Sequence, residues 1–324
     1  MKPAIIRRAS RASYLLLAFA ALVPAASLAR AADAPAAGGA AGKSVFAREN
    51  LVAWCIVPFD AKQRTPAQRA EMLAKMGVKR LAYDWRDQHL PTWDEELTQL
   101  KKHGIELTAL WFPAGLNEQA KVLLDGLKRH NVKTQLWVSA SIEPGADGTK
   151  GVHQGTDLIR PIAQEAAKLG CTVALYNHGG WFGEPENQVQ IVKELQAEGV
   201  TNVGIVYNLH HGHEHLDRFP AMLETMKPHL LALNLNGMTK GGDKAGKKIL
   251  PIGQGDLDLQ LLKTIRDSGY TGPIGVLNHT DEDAEGRLLD NVEGLEWLVP
   301  QLDGKPAGQR PTPRTWKDPA APKA

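Results

Sequence analysis

"LVAWCIVPFDAKQRTPAQRAEMLAKMG", residues 51–77, decides the fold. Its first seven residues are a continuous apolar run, the composition of a strand covered on both faces. Thr65 then stands as a helix cap, Pro66 occupies the first turn, and Gly77 closes the helix-periodic segment between them. The unit is strand, loop, helix. Two parallel α/β architectures are built from it, an open doubly wound sheet and a closed barrel. The open sheet calls for a glycine-rich phosphate loop after its first strand, and "VPFDAKQRTP" (57–66) contains no glycine.

The unit recurs along the chain. Further apolar runs stand at 80–85, 106–112, 133–139, 172–177, 202–208, 230–236 and 273–278, so there are eight in all. Helix-periodic segments separate them. "TWDEELTQLKKHG" has Thr92 as its cap, "NEQAKVLLDGLKRHN" and "DLIRPIAQEAAKLG" follow, and "DLDLQLLKTIRDSG", which opens on Asp256 as a helix cap, precedes the last run. Eight strands alternating with eight helices predict a single (β/α)₈ TIM barrel over residues 44–302.

The flanks read differently. Residues 1–31 carry a basic start, an apolar run broken by Pro24 and the A-x-A pattern Ala29-Arg30-Ala31, a secretory signal peptide cleaved after Ala31. The expected location is the periplasm or the extracellular space, with no stable membrane insertion after cleavage. Residues 32–43 read as a flexible linker, and 303–324, rich in proline and charge, as a disordered tail. Loss of Lys2, Arg7, Arg8, Arg11 and Arg30 turns the formal charge of +2 into a deficit of three. No basic field remains for a nucleic acid partner. Cys55 and Cys171 fall at opposite ends of the barrel and read as two free, buried thiols.

In a barrel of this kind the active site forms at the C-terminal ends of the strands. "YNLHHGHEHLD" (207–217) directly follows the sixth strand and therefore lies on that face. Histidine titrates near neutrality, so His178 and His211 are candidates for acid–base catalysis. His211, His213 and His279 together could offer three imidazoles to one divalent metal such as Zn or Mn. Asp84, Arg86, Trp111, Glu143, Tyr176, Asn208, Asn234, Asn236 and Asn278 stand at or near strand ends with groups that would bind a substrate. Trp85, Trp137 and Trp181 are the other tryptophans near those ends. Glu184 is a secondary acid candidate.

"PIGQGDLDLQLLKTIRDSGYTGPIGV" (251–276), "ALYNHGG" (174–180), "VYNLHHGH" (206–213) and "LALNLNG" (231–237) resemble the xylose isomerase-like sugar isomerase/epimerase barrels. The resemblance implies a sugar isomerase/epimerase activity, with a divalent metal held by Glu, Asp, His and Glu from strands five to eight. Carried over position by position, those ligands become Tyr176, Asn208, Asn234 and Leu277 or Asn278. Neutral amides replace carboxylates poorly around a hard cation, and asparagine is no base. The expectation is an exported isomerase, epimerase or related lyase acting on a small-molecule sugar or oxidised sugar by proton transfer. The alternative is a non-catalytic carbohydrate-binding barrel.

Overall fold

The computed structural model describes residues 44–145 and 148–316. The predicted signal peptide and linker, and residues 317–324 of the predicted tail, lie outside the described residues.

Eight parallel strands close in sequence order into a barrel. They are β1 (Leu51–Trp54), β2 (Arg80–Tyr83), β3 (Glu106–Phe112), β4 (Gln135–Val138), β5 (Thr172–Tyr176), β6 (Val203–Asn208), β7 (Leu230–Leu235) and β8 (Ile274–Leu277). The helices are α1 (Pro66–Met76), α2 (Trp93–Lys102), α3 (Glu118–His130), α4 (Thr149–Lys168), the single turn α5 (Gly180–Gly183), α6 (Pro185–Ala197), α7 (Phe219–Met226), α8 (Asp258–Asp267) and α9 (Ala284–Leu302). Each predicted strand is present. β1 pairs with β8 over four residues, from Leu51 with Ile274 to Trp54 with Leu277, which closes the ring.

Local chemistry explains the helix ends. Thr65 accepts from the Gln68 backbone N–H, Gln68 returns the bond to Thr65, and Gly77 turns left-handed at φ 70°. Asn117 caps α3 by accepting from Ala120 N at 2.9 Å. Thr92 does not cap α2, because its hydroxyl donates instead to the His89 carbonyl at 3.0 Å. Asp256 does not cap α8 either and pairs with Thr239. Asp258 organises that turn instead: its buried carboxylate accepts from the N–H groups of Met238, Gly253 and Gly255.

The alternation of each strand divides the core in two. Outward residues such as Leu81, Leu110, Leu136, Ile205 and Val276 pack under the helices. Removing one such side chain costs about 2–5 kcal/mol. Inward residues form a separate cluster in which Ala82, Ala109, Ala174 and Ala232 leave room for Trp54, Trp137 and Tyr176. The Trp54 and Trp137 rings meet edge to face at 4.8 Å, so the barrel interior is a packed floor.

Residues 303–316, the described part of the stretch expected to be a disordered tail, make specific contacts. Arg310 donates to the Gly253 carbonyl at 2.6 Å and lies over Trp297, while Arg314 pairs with Asp290 and Glu293. Three backbone or hydroxyl donors from Arg314 and Thr315 complete the shell of the Asp290 carboxylate. A buried acid on α9 thus holds residues 303–316 in place, against their polar composition.

Candidate functional site

Trp54, Tyr176 and Asn208 end their strands on the inner side, and Asp84 and Asn278 follow β2 and β8 directly. All five are at most 2% exposed, as is Asn234 on β7. The Asn208 amide donates to the Tyr176 hydroxyl. Asn278 donates to the carbonyls of Trp54 and Val276, each at 3.0 Å, which turns its own oxygen away from both. Asn234 lies across β8, where a side chain at Gly275 would overlap it. The side-chain oxygens of Asn208, Asn234 and Asn278 have no protein partner. Buried polar atoms of this kind are ordinarily satisfied by water or a ligand.

Cys55 should face outward, since Trp54 before it faces inward. It belongs to the inner cluster nevertheless, because its backbone is left-handed at φ 60° and breaks the alternation. Its thiol lies against the Asp84 carboxylate, and burial pushes the thiol well up from its ordinary value. Asp84 is 2% exposed, and neither of its oxygens has a regular hydrogen-bond partner. Arg86 does not neutralise it by contact; its guanidinium donates to the carbonyls of Asp84 and Trp85 and lies 5.2 Å over Phe59. Burial outweighs the Arg86 charge and raises the Asp84 carboxyl to about 7. Asp258 is also raised to about 7 by burial, but three N–H groups hold it in a structural role.

Histidines form the rim above this floor. After β6 the chain makes two 3-10 turns, Leu209–His211 and His213–Arg218. Gly212 joins them because an added Cβ would stand 2.1 Å from the Tyr207 hydroxyl. Tyr207 in turn bonds His215 at 2.9 Å, His215 bonds Glu184 at 3.1 Å, and Arg218 pairs with Glu184 and Glu186. This chain clamps the histidine loop to the start of α6 and engages both carboxylate oxygens of Glu184.

The clamped loop brings His211 to His178, ring centres 4.4 Å apart, and to His210 at 3.6 Å. His178 also faces Trp111 and Tyr176, each at 6.1 Å. Burial is the main cause that lowers all four of His178, His210, His211 and His279, and His211 falls to about 3. The Lys248 charge adds to the effect at each. The imidazoles are therefore neutral at pH 7. They can donate or accept hydrogen bonds but carry no proton to deliver as an acid. A cleft of about 250 Å³ opens beside them, lined by Gly179, Gly180, Glu184, His210, His211, His213 and Lys248 among others.

The structure thus brings together Asp84, Trp111, Tyr176, His178, Asn208, His211, Asn234 and Asn278, with Arg86 at the edge. Asn236 is buried in the loop after β7, where it donates to the Gly237 and Lys248 carbonyls. Glu143 stands exposed on the loop after β4 and does not join the cluster. His210, Cys55, Phe59 and Lys248 belong to the site although their residue types alone do not single them out. The pairing of a buried histidine with His211 in "LHHGH" is the one visible hint.

The metal expectation does not fit these side chains. His213 uses one ring nitrogen on the Lys248 carbonyl at 2.9 Å, and the other is 3.9 Å from Asp243. His279 packs on Phe59 at 3.7 Å. Three imidazoles engaged in different directions are not a coordination sphere, and among the described residues no group of three or more His, Cys, Asp or Glu is placed to hold a metal. At the positions the family uses, Tyr176 and Asn208 bond each other and Asn278 is tied to backbone. These neutral groups do not suit a hard divalent cation.

The sequence profile of the xylose isomerase-like TIM barrel family matches residues 70–301. No curated protein matches the chain significantly. Among solved structures, an E. coli 3-keto-D-glucoside 4-epimerase is 16% identical, with 78% of this chain and 99% of that chain covered and a TM-score of 0.58. The IOLI protein, solved with a zinc atom, is 16% identical over 78% and 98% of the two chains, TM-score 0.61. A D-psicose 3-epimerase from Clostridium cellulolyticum, solved with D-tagatose, is 14% identical over 78% and 99%, TM-score 0.55. At these identities the likeness is one of fold.

Proposed function

The chain belongs to the xylose isomerase-like TIM barrel family, and from that membership we propose that it is a sugar isomerase or epimerase that moves a proton beside a carbonyl without a metal-assisted step. The observation that carries the reading is Asp84: a buried carboxylate, raised to about 7, with the Cys55 thiol against it and no regular hydrogen-bond partner, beneath the mouth of the barrel. A general base is most effective when it titrates near the working pH. Asp84 takes the proton from the sugar carbon. The electron pair moves onto the carbonyl oxygen, which accepts a hydrogen bond from the neutral His178 imidazole. In an epimerisation the carbonyl re-forms as water delivers a proton to the other face of the same carbon and Asp84 releases its own to solvent; in an isomerisation Asp84 returns its proton to the neighbouring carbon while the hydroxyl proton of the first carbon passes to the former carbonyl oxygen. Asp84 meets substrate once the side chains above it part. Tyr176, Asn208, Asn234 and Asn278 orient hydroxyls, and Arg86 and Lys248 suit a free sugar or the carboxylate of an oxidised one. The sequence of residues 1–31 supports an exported protein working in the periplasm or outside the cell.

The test is solvent exchange. D-tagatose, D-glucuronate and a 3-keto-glucoside are incubated with the mature protein in D₂O and followed by NMR. Deuterium should enter at carbon with at least one of them, and Asp84→Asn should slow the exchange at least about 100-fold. Exchange that survives in Asp84→Asn sinks the assignment of the base.

A second reading, a non-catalytic sugar-binding barrel, is favoured by the Tyr176–Asn208 bond and the backbone ties of Asn278, which show polar groups serving the fold. It requires saturable sugar binding with no exchange under any condition, and any turnover by the wild type ends it.

A further inference from the structure

Outside the mouth, a groove of about 560 Å³ lies along α4 and α6, lined by Trp181, Asn187, Gln190, Lys193 and Glu194 with Gly148 at its end. That size falls in the roughly 300–1,000 Å³ range of small-molecule sites. Trp181 is half-buried. One side of the indole rests on α4, where Gly151 allows the approach: an added Cβ there would stand 2.9 Å from the ring. No other aromatic ring or cation stacks on it among the described residues. The groove offers further groups around this ring. Asn187 donates to the Trp181 carbonyl at 2.8 Å, and its oxygen accepts no bond among the described residues. The Gln190 amide is exposed, Lys193 adds a donor, and Glu194 adds an acceptor anchored by His153 at 2.8 Å.

We propose that this groove is a second saccharide subsite, so that the ligand of the mouth is one end of an oligosaccharide. A flat apolar ring bordered by paired amide, ammonium and carboxylate groups complements a pyranose, which has an apolar C–H face and a rim of hydroxyls that both donate and accept. Other occupants fit less well. A closed barrel has no free strand edge to pair with a peptide, and one lysine beside a glutamate is no phosphate track.

The groove also connects to the mouth. Gly179 and Gly180 line the histidine cleft, and the next residue, Trp181, lines the groove. Both glycines have positive φ, 79° and 64°, and a Cβ on either would meet nothing within 4 Å. The chain that passes from one depression to the other thus carries no side chain at these two positions to obstruct a glycosidic link. That the mouth holds the neighbouring sugar rests on the proposed function; the affinity of the groove for a sugar ring does not.

The test uses the mature chain with gluco-oligosaccharides of one to four units, in β-1,4 and α-1,4 series, by titration calorimetry. In parallel, 5-fluorotryptophan-labelled protein is followed by ¹⁹F NMR, with Trp181→Phe assigning its resonance. Affinity should rise from one unit to two in one of the series. Trp181→Ala should weaken binding of the longer ligands about tenfold and leave the monosaccharide unchanged. Gln190→Ala, on an exposed helix face, should give a smaller loss in the same direction. Saturating oligosaccharide should shift the Trp181 resonance. Affinity independent of chain length, equal weakening of monosaccharide and oligosaccharide, an unmoved Trp181 resonance, or no saccharide binding in either series overturns the proposal. A shifted Trp181 resonance in a protein that exchanges no sugar hydrogen upholds the groove and sinks the catalytic reading of the mouth.

Discussion

Asp84→Asn should make the protein more stable, and increasingly so as pH rises. The folded state holds this carboxyl at about 7 against an ordinary value of 3.8. Between pH 4 and 7 the unfolded chain has released the proton and the folded chain has kept it, so stability falls as pH rises through that window. A tenfold difference in proton affinity between the two states is worth about 1.4 kcal/mol, so a carboxyl held at about 7 rather than 3.8 costs roughly 4 kcal/mol once ionised. The amide mimics the neutral acid and never ionises. The variant's advantage should grow by about 1.4 kcal/mol per pH unit from pH 4 and level off above 7. Water admitted beside the carboxylate would reduce the slope but not its sign. The assay is urea unfolding by tryptophan fluorescence at pH 4 to 8, where the full effect moves the midpoint by roughly 1 M or more. Asp258 is present in both proteins and cancels in the difference. A difference that stays flat with pH, or a wild type that gains on the variant as pH rises, refutes the reasoning, since a paired carboxylate behaves in that second way.

The histidine rim acts in the opposite direction. His211, lowered from 6.5 to about 3, contributes stability that is complete above pH 6.5 and is lost as pH falls toward 3, so His211→Asn should flatten the acid side of the same stability profile. Deletion of residues 304–324 should strip the buried Asp290 carboxylate of its donors and cost about 3–5 kcal/mol, visible as a lowered melting temperature. Tyr207→Phe removes the hydroxyl that holds His215 and should cost about 1 kcal/mol by urea unfolding; an unchanged midpoint would show that this bond in the clamp adds no net stability.

The barrel is legible in the sequence because its evidence is local and repeated: apolar runs at strand length, alternating with capped helices. What escapes a sequence reading is set by contacts between elements. α4 begins at Thr149, eight residues before the periodic pattern suggests, in a stretch holding Gly151 and Gly155. Those glycines weaken helix propensity, yet each is required by packing, Gly151 against Trp181 and Gly155 against Ile191 at 2.4 Å from an added Cβ. Cys55 reads in sequence as an ordinary buried strand residue because alternation predicts its face and a left-handed φ reverses it. Residue types at strand ends point to the same face of the barrel on which the structure gathers these side chains. The ranking inside it does not follow from type: ordinary titration values favour histidine at neutral pH, whereas burial lowers the imidazoles and raises Asp84 into that range.

The same effect of burial explains why the amides occur together. At the ends of β5–β8 the family resemblance implies carboxylates around a cation; here Tyr176, Asn208 and Asn234, with Asn278 just past β8, are nearly inaccessible and uncharged. Several carboxylates could not share that space without a cation, but neutral side chains can, leaving the oxygens of Asn208, Asn234 and Asn278 without a protein partner. Restoring one acid should therefore harm the fold without restoring a metal site. In Asn208→Asp the new carboxylate has no cation beside it, and it loses the amide that donates to Tyr176. An unpaired buried charge costs several kcal/mol, so the group should take up a proton, leaving the variant near wild-type stability at pH 5 and well below it at pH 8. Mn²⁺ added at pH 8 should leave the urea midpoint unchanged, because one carboxylate among amides offers too little charge to draw the ion from water. Recovery of the midpoint at micromolar Mn²⁺ would mean that the mouth still has the geometry of a metal site, and the metal-free proton transfer proposed for Asp84 would lose its ground.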